Sequence, residues 1–180
     1  PDSTYKTFER EDGSEIEKND EGPLSAFVFK TLADPHVGRV SYFRVLSGVA
    51  HSNSTTNNVT QEKQERLGQL FYMRGKEHLN TDVVGAGDIG AFNKPSNTVT
   101  GDTLSDVAEA AALAAIDFPE PSYRATVTPK TKADLDKLGQ ALNRIVEEDP
   151  SLHLERDPVT SDAVLAGLGD EALAELAVGE

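Results

Sequence analysis

Residues 24–46 read Leu24-Ser-Ala-Phe-Val-Phe-Lys-Thr-Leu32, then a short break, then Val40-Ser-Tyr-Phe-Arg-Val-Leu46. Both stretches are rich in aromatic and β-branched residues, which favour β-strands. The break contains Asp34-Pro35 and Gly38, which are typical turn residues. The sequence therefore predicts a hairpin of two strands joined by a longish loop.

Further short strands are predicted downstream of this hairpin. They cover Val59–Arg66, Leu67–Arg74, Thr81–Val84 and Asp88–Phe92, with glycines and a proline nearby as breaks. Gly85-Ala-Gly87 is interpreted as a tight turn between strands. Many short strands at close spacing, without intervening helices, indicate a small closed β-barrel.

A different pattern follows Phe118-Pro-Glu-Pro-Ser122, whose prolines stop any helix before them. Tyr123–Thr128 alternates as a strand does, and the segment after it has one apolar helical face. That face consists of Leu135, Leu138, Leu142, Ile145 and Val146. Strands at Leu152–Leu154 and Ala163–Ala166 and a helix at Asp170–Val178 complete a ferredoxin-like β-α-β-β-α order that lacks its last strand.

The fold class predicted is thus a β-barrel domain followed by an α+β, ferredoxin-like domain that is truncated. Residues 1–22 are interpreted as an acidic linker or disordered lead-in, and residues 23–104 as the barrel. Residues 105–121 form a connecting segment whose Ala-rich part is helix-permissive, and residues 122–180 form the incomplete second domain. Because the first residue is Pro1 rather than Met, we expect further chain before it.

Charge and composition exclude several function classes. The net charge is −14, so phosphate repels the chain at long range and DNA binding is not expected. Only the central segment, residues 22–103, has more bases than acids, so it is the one candidate for a local basic patch. No apolar run approaches the roughly 20 residues of a membrane helix, and no secretory signal opens the chain. We expect no membrane partner and a cytoplasmic location.

A catalytic or metal site is not predicted. The phosphate-binding run G-x-x-x-x-G-K-[ST] is missing, and Cys is absent. Asn53 and Asn58 match the glycosylation pattern but are interpreted as loop residues. Four histidines match no ligand spacing and are interpreted as surface loop residues: His36, His51, His78 and His153. We therefore expect no catalytic residue, cofactor or metal ion in this chain.

The positively charged residues are more suggestive. Arg39 follows the hairpin break and Arg44 lies on the return strand. Four more cations are predicted on the polar side of the main helix and just before it: Lys130, Lys132, Lys137 and Arg144. Each could contact phosphate, since Arg and Lys supply most contacts to nucleic-acid backbones. Ordinary exposed charge is the alternative interpretation for most of them.

Several ordered motifs resemble elongation factor G, a translational GTPase. The longest is Asp34-Pro-His-Val-Gly-Arg-Val-Ser-Tyr-Phe-Arg-Val-Leu-Ser-Gly48, which is similar to the hairpin that opens its second domain. The others follow in the same order: Gly87-Asp-Ile89, Thr100-Gly-Asp-Thr-Leu104, Phe118-Pro-Glu-Pro121, Pro129-Lys-Thr-Lys-Ala-Asp134, Glu148-Asp-Pro-Ser151 and Ala166-Gly-Leu-Gly169. Together they are more specific than any one motif.

The resemblance implies a β-barrel second domain and a ferredoxin-like third domain. It also implies that the barrel rests on small-subunit ribosomal RNA and protein, while the third domain relays between the GTP-binding domain and the ribosome during tRNA–mRNA translocation. By this analogy Arg39 and Arg44 are predicted rRNA contacts, and Lys130 and Lys132 a relay surface. GTP and magnesium would bind only in a GTP-binding domain outside this chain, which would be a partner together with the C-terminal domains of the same polypeptide.

The sequence also departs from the family. The family continues its Gly-rich turn as G-E-L-H-L, whereas Asp170-Glu-Ala-Leu173 follows Gly169 here. A diverged paralogue is therefore as plausible as the housekeeping factor. Two alternatives stay open: a ribosomal protection or release-type translational GTPase, and a free-standing β-barrel adaptor that binds a protein through its sheet edge. The Pro129–Asp134 segment favours elongation factor G.

Overall fold

The computed structural model describes residues 7–34, 38–75, 77–129, 131 and 134–169. The chain forms two compact units that divide between Ile116 and Asp117. No helix among the described residues is long and apolar enough to cross a membrane.

The first unit is built from short strands. They are β1 (Thr7–Glu9), β2 (Glu15–Glu17), β3 (Ser25–Asp34), β4 (Gly38–Ser47), β5 (Val49–His51), β6 (Ser54–Asn58), β7 (Lys63–Leu67), β8 (Leu70–Arg74), β9 (Glu77–Thr81), β10 (Val83–Gly85), β11 (Ile89–Asn93) and β12 (Thr103–Ser105). Eight of them form one curled antiparallel sheet in the order β7-β6-β12-β3-β4-β11-β8-β9, while β1–β2 and β5–β10 are separate pairs. This half-barrel confirms the predicted fold class of the first domain.

The central hairpin β3–β4 confirms the prediction made from residues 24–46. Its register contains two shifts, which leave Phe29 on β3 and Leu46 on β4 without an opposite residue. Side chains alternate along β4, as in any strand, so Phe43 and Val45 enter the main core. The residues between and beside them, including Arg44, face the other side of the sheet, which we call the outer face.

The main core lies on the inner side of the curled sheet. The Phe43 and Phe92 rings meet edge to face with centroids 5.9 Å apart, a favoured aromatic geometry. The backbone passes close to this pair at Gly90, where a Cβ atom would lie 2.7 Å from Val84 Cγ2 and 3.0 Å from Phe43 Cζ. Packing therefore requires glycine at position 90.

The N-terminal segment differs from the predicted linker or disordered lead-in. Within it, β1 and β2 pair as a hairpin, and Ile16 is buried against Leu46 and Leu113. Phe8 packs partly against the same cluster. Ile16 and Phe8 thus pack this acid-rich stretch against the sheet. An average over the composition of the segment conceals these two apolar residues.

The Ala-rich connecting segment does not form the helix that its composition permits. Its backbone pairs with the N-terminal hairpin through a bridge between Arg10 and Leu113. The Leu113 N–H also donates a hydrogen bond to Thr103 Oγ1 at 2.9 Å. These tertiary contacts override helix propensity, which is a weak local preference.

The strand predicted over Val59–Arg66 is wrong in its position. β6 ends at Asn58, a turn follows, and β7 begins at Lys63. Asn58, interpreted as a loop residue, is the fully buried end of a strand. Besides β1 and β2, strands β5, β6, β9 and β12 were not predicted, because they are short or carry no alternating apolar pattern. The turn predicted at Gly85–Gly87 is confirmed, since Asp88 N–H donates to Gly85 O at 3.1 Å.

The second unit contains β13 (Tyr123–Val127), α1 (Leu135–Glu148), β14 (His153–Arg156) and β15 (Ala163–Gly167). Its sheet has the order β13-β15-β14, and both neighbours run antiparallel to β15. β13 and β14 are therefore parallel and joined through α1, which is the predicted split βαβ arrangement. Leu142 of α1 packs in the core with Val127 and Leu165. The helix predicted at Asp170–Val178 lies outside the described residues.

Candidate nucleic-acid interface

Arg39 is tied to the loop that follows β11. It is half-buried near the start of β4, and its Nη2 donates a hydrogen bond to the Thr98 carbonyl oxygen at 2.9 Å. Its own carbonyl oxygen accepts a hydrogen bond from Lys94 N–H at 2.7 Å. Lys94 is exposed. The structure thus places the backbone of a second cationic residue, Lys94, next to the backbone of Arg39.

Arg44 lies far from Arg39 on the same strand. It is five positions further along the strand, which corresponds to about 17 Å at roughly 3.3 Å per residue. The regular pairing of β4 with β11 over this stretch places the two side chains on opposite faces of the sheet. The Arg44 guanidinium carbon lies 5.8 Å from the centroid of the Phe8 ring, in a cation–π contact. The two predicted rRNA contacts therefore do not form one patch.

The other predicted cations belong to the second unit. Lys130 and Lys132 lie outside the described residues. Lys137 and Arg144 are exposed on α1, as expected for the polar side of a helix. The predicted relay surface therefore stays a prediction.

A buried carboxylate that sequence reasoning missed holds the loop beside Arg39. Glu65 is 1% exposed, and one of its oxygens accepts a hydrogen bond from Ser96 N–H at 2.9 Å. The other accepts from the N–H groups of Asn97 and Thr98 and from the Thr98 hydroxyl, at 2.8, 3.0 and 2.8 Å. Burial alone would raise the Glu65 pKa, but these hydrogen bonds outweigh it and lower the pKa. Glu65 is thus an ionised anchor for the loop.

A second buried carboxylate continues the network. Asp102 Oδ2 accepts hydrogen bonds from Asn58 Nδ2 at 2.7 Å and from Val99 N–H at 2.8 Å, while its Oδ1 accepts one from Gln61 Nε2 at 3.1 Å. Asn58 Nδ2 also donates to Thr98 Oγ1 at 3.3 Å. Thr98 therefore links both carboxylates to Arg39 through its own carbonyl. We call Glu65, Asp102, Asn58, Gln61 and Thr98 together the polar network. The sequence contained one signal for this network. Glu65 lies two residues before the apolar Leu67, so on a strand both side chains face the same, buried side.

The histidines do not form a site. His51, His78 and His153 are exposed, but they lie on β5, β9 and β14 rather than in the predicted loops. His78 stacks on Phe71 with ring centroids 4.3 Å apart. His36 lies outside the described residues. Within the described part of the chain, no group of three or more His, Asp or Glu could hold a metal ion.

The chain is similar to known families over most of its length. Residues 23–107 match the family model for elongation factor G domain 2, and residues 118–175 match that for elongation factor G domain III. A crystal structure of a protein from Thermus thermophilus is similar with a TM-score of 0.70 and 31% sequence identity. That match covers 86% of this chain and 24% of the other, so this chain spans about a quarter of that relative. Through its two consecutive domain matches, the chain belongs to the elongation factor G family.

Proposed function

We propose that this chain is the ribosome-contacting part of a GTP-dependent, cytoplasmic translation elongation factor that promotes tRNA–mRNA translocation. The order of the two family matches, second domain and then third domain, is the observation that carries this proposal. In the whole protein, a separate domain would bind GTP and magnesium. The chain alone is expected to hydrolyse no GTP, because it has no phosphate-binding G-x-x-x-x-G-K-[ST] run.

The rRNA contact that we propose is centred on Arg39 and Lys94. Both lie at the end of the sheet where β4 begins and β11 ends. The polar network fixes the loop between Lys94 and Thr98, so these cations sit on a rigid support. Rigid placement suits phosphate contacts, which determine the register of a protein on nucleic acid. Arg44 is a second, separate contact in this proposal, and Lys130 and Lys132 contribute to the relay surface.

Charge reversal at Lys94 tests the proposal. We expect Lys94→Glu to weaken binding of the chain to purified small ribosomal subunits by about tenfold, because one phosphate contact becomes repulsive. The measurement is equilibrium binding at low salt, with interferometry as the detection method. Arg74→Glu is the matched control. Its side chain is 73% exposed and lies at the opposite end of the sheet from Arg39, so binding should stay unchanged. Equal losses in both variants, or no binding by the unmodified chain, would refute the proposal.

A further inference from the structure

Glu65 joins strand β7 to the loop that follows β11. Its Oε1 atom accepts a hydrogen bond from Ser96 N–H at 2.9 Å and another from Arg66 N–H at 3.1 Å. Because the two donors share one acceptor atom, their nitrogens lie within about 6 Å of each other. Lys94 lies two residues before Ser96 in the same loop. The backbones of two exposed cationic residues, Arg66 and Lys94, are therefore close together, although β7 and β11 are not neighbours in the sheet.

The same loop lies along the free edge of β7. Asn97 Nδ2 donates a hydrogen bond to the Gln64 carbonyl oxygen at 3.3 Å, and β7 is the last strand on its side of the eight-stranded sheet. Gln64 and Arg66 are two residues apart, so both side chains face away from the side of the strand on which Glu65 lies. We call Gln64, Arg66, Lys94, Ser96 and Asn97 together the edge strip.

The edge strip carries positive charge in a chain that is acidic overall. Four of its side chains are exposed, and Asn97 is half-buried. The carboxylate that holds the strip together, Glu65, is only 1% exposed. Among the described residues, neither Arg66 nor Lys94 forms an ion pair. The two exposed cations are therefore available to an external anion.

The chemical groups of the strip match the backbone of duplex RNA. Arginine and lysine contact phosphates, while the hydroxyl of Ser96 and the amide of Gln64 can each donate to, and accept from, a ribose 2′-hydroxyl. Recognition of single-stranded RNA relies on aromatic side chains that stack on bases, and the strip contains no aromatic residue. A duplex that is contacted along its phosphates and ribose hydroxyls is therefore the ligand that fits.

We propose that the edge strip binds the sugar–phosphate backbone of an RNA duplex. Arg66 and Lys94 contact phosphates, and Ser96 and Gln64 contact ribose 2′-hydroxyls. This inference rests on the proposed function, because it extends the proposed rRNA contact from Arg39 and Lys94 across the loop to β7. It adds Arg66 as a contact residue, and it adds a selectivity for RNA over DNA that does not depend on base sequence.

Arg66→Gln tests the phosphate contact. We expect this variant to bind purified small ribosomal subunits about threefold to tenfold more weakly, and to reduce the slope of log affinity against log salt by about 1. Arg74→Gln is the matched control. It removes an exposed cation that is paired with Glu77 at 2.8 Å, so neither the affinity nor the slope should change. Circular dichroism checks that each variant is folded. Equal affinities of the two variants would overturn this inference and leave the proposed function intact.

Competition tests the selectivity for RNA. A mixed-sequence RNA duplex should displace the chain from small subunits at a concentration at least about fivefold lower than a DNA duplex of the same sequence. Ser96→Ala removes the hydroxyl but keeps the backbone N–H that Glu65 accepts. It should reduce this preference to less than about twofold without changing the salt slope.

The possible failures are distinguishable. An RNA duplex that competes no better than DNA, or a preference that is unchanged in Ser96→Ala, would overturn the inference. Failure of the unmodified chain to bind small subunits at all would refute the proposed function, and this inference with it.

Discussion

Glu65 accepts two hydrogen bonds from Thr98, one from its backbone N–H at 3.0 Å and one from its hydroxyl at 2.8 Å. The Thr98 carbonyl in turn accepts the hydrogen bond from Arg39. The proposed rRNA contact is therefore positioned by a buried anion on a different strand. A buried carboxylate is usually unfavourable, and here it is stabilised by converging hydrogen-bond donors.

Glu65→Gln should lower the free energy of unfolding of the first unit by about 1–3 kcal/mol. The substitution replaces a charged acceptor by an amide whose NH₂ group faces donors, so at least one buried N–H loses its partner. Urea unfolding, monitored by circular dichroism, measures this decrease in the free energy of unfolding. Glu62→Gln, at an exposed position in the adjoining turn, should change stability by less than about 0.5 kcal/mol. A Glu65→Gln variant as stable as this control would contradict the anchoring role.

The same residue predicts a pH dependence. The Glu65 pKa is lower in the folded chain than its ordinary value of 4.5, so the unfolded chain binds the proton more tightly. Its contribution to stability is therefore present above pH 4.5 and is lost as the pH falls through the folded pKa. Urea midpoints of the unmodified chain should fall more steeply on acidification than those of Glu65→Gln. Parallel curves for the two proteins would mean that Glu65 does not titrate as proposed.

The sequence predicted the parts of the fold that have strong local patterns. The β3–β4 hairpin, the turn at Gly85–Gly87 and the helix with Leu142 on its apolar face were all predicted correctly, because periodicity and turn residues specify them locally. The N-terminal hairpin was not, since its position depends on the contact between Ile16 and Leu113, which are distant in sequence.

The candidate site was predicted less well, for the same reason. Arg39 and Arg44 could be identified as suggestive cations, and their odd spacing of five already places them on opposite faces of a strand. The hydrogen bond from Arg39 to the Thr98 carbonyl oxygen could not be predicted, because the two residues are 59 positions apart in sequence. The partnership between Glu65 and Thr98 joins residues on different elements, and no spacing rule connects them. Asn58 in particular is a residue type common in loops, yet it is as buried as a core residue.

Gly90→Ala should destabilise the first unit by about 1–3 kcal/mol, as overpacking does in other cores. The added Cβ would lie 2.7 Å from Val84 Cγ2 and 3.0 Å from Phe43 Cζ, so a core side chain must leave its place. Gly68→Ala is the control within the same unit, because a Cβ there meets nothing within 4 Å. Both variants replace glycine by alanine and share its effect on backbone freedom. The difference between them in thermal and urea unfolding therefore measures the steric effect. Similar stabilities for the two variants would contradict the close approach at Gly90.

Gly139→Ala should instead stabilise the second unit, by about 0.5–1 kcal/mol, because alanine is the better helix former. Gly139 lies inside α1, and a Cβ at this position meets nothing within 4 Å. Unfolding of the second unit by urea measures the gain. Gln140→Ala, at the next and exposed position, should change stability much less, since glutamine is already a good helix former. A loss of stability in Gly139→Ala would indicate that the glycine has a packing role on α1.

Salt provides the last prediction, because it separates phosphate contact from other modes of ribosome binding. The chain carries a net charge of −14, so only a local patch such as Arg39 and Lys94 can attract phosphate. Each phosphate contact contributes a slope of roughly −0.7 to −0.9 to a plot of log affinity against log salt. Binding to small ribosomal subunits should therefore weaken linearly on this plot, and Lys94→Glu should reduce the slope by about 1. An affinity that does not change with salt would mean that apolar or protein contacts dominate, and the proposed rRNA contact would then be wrong even if ribosome binding itself is real.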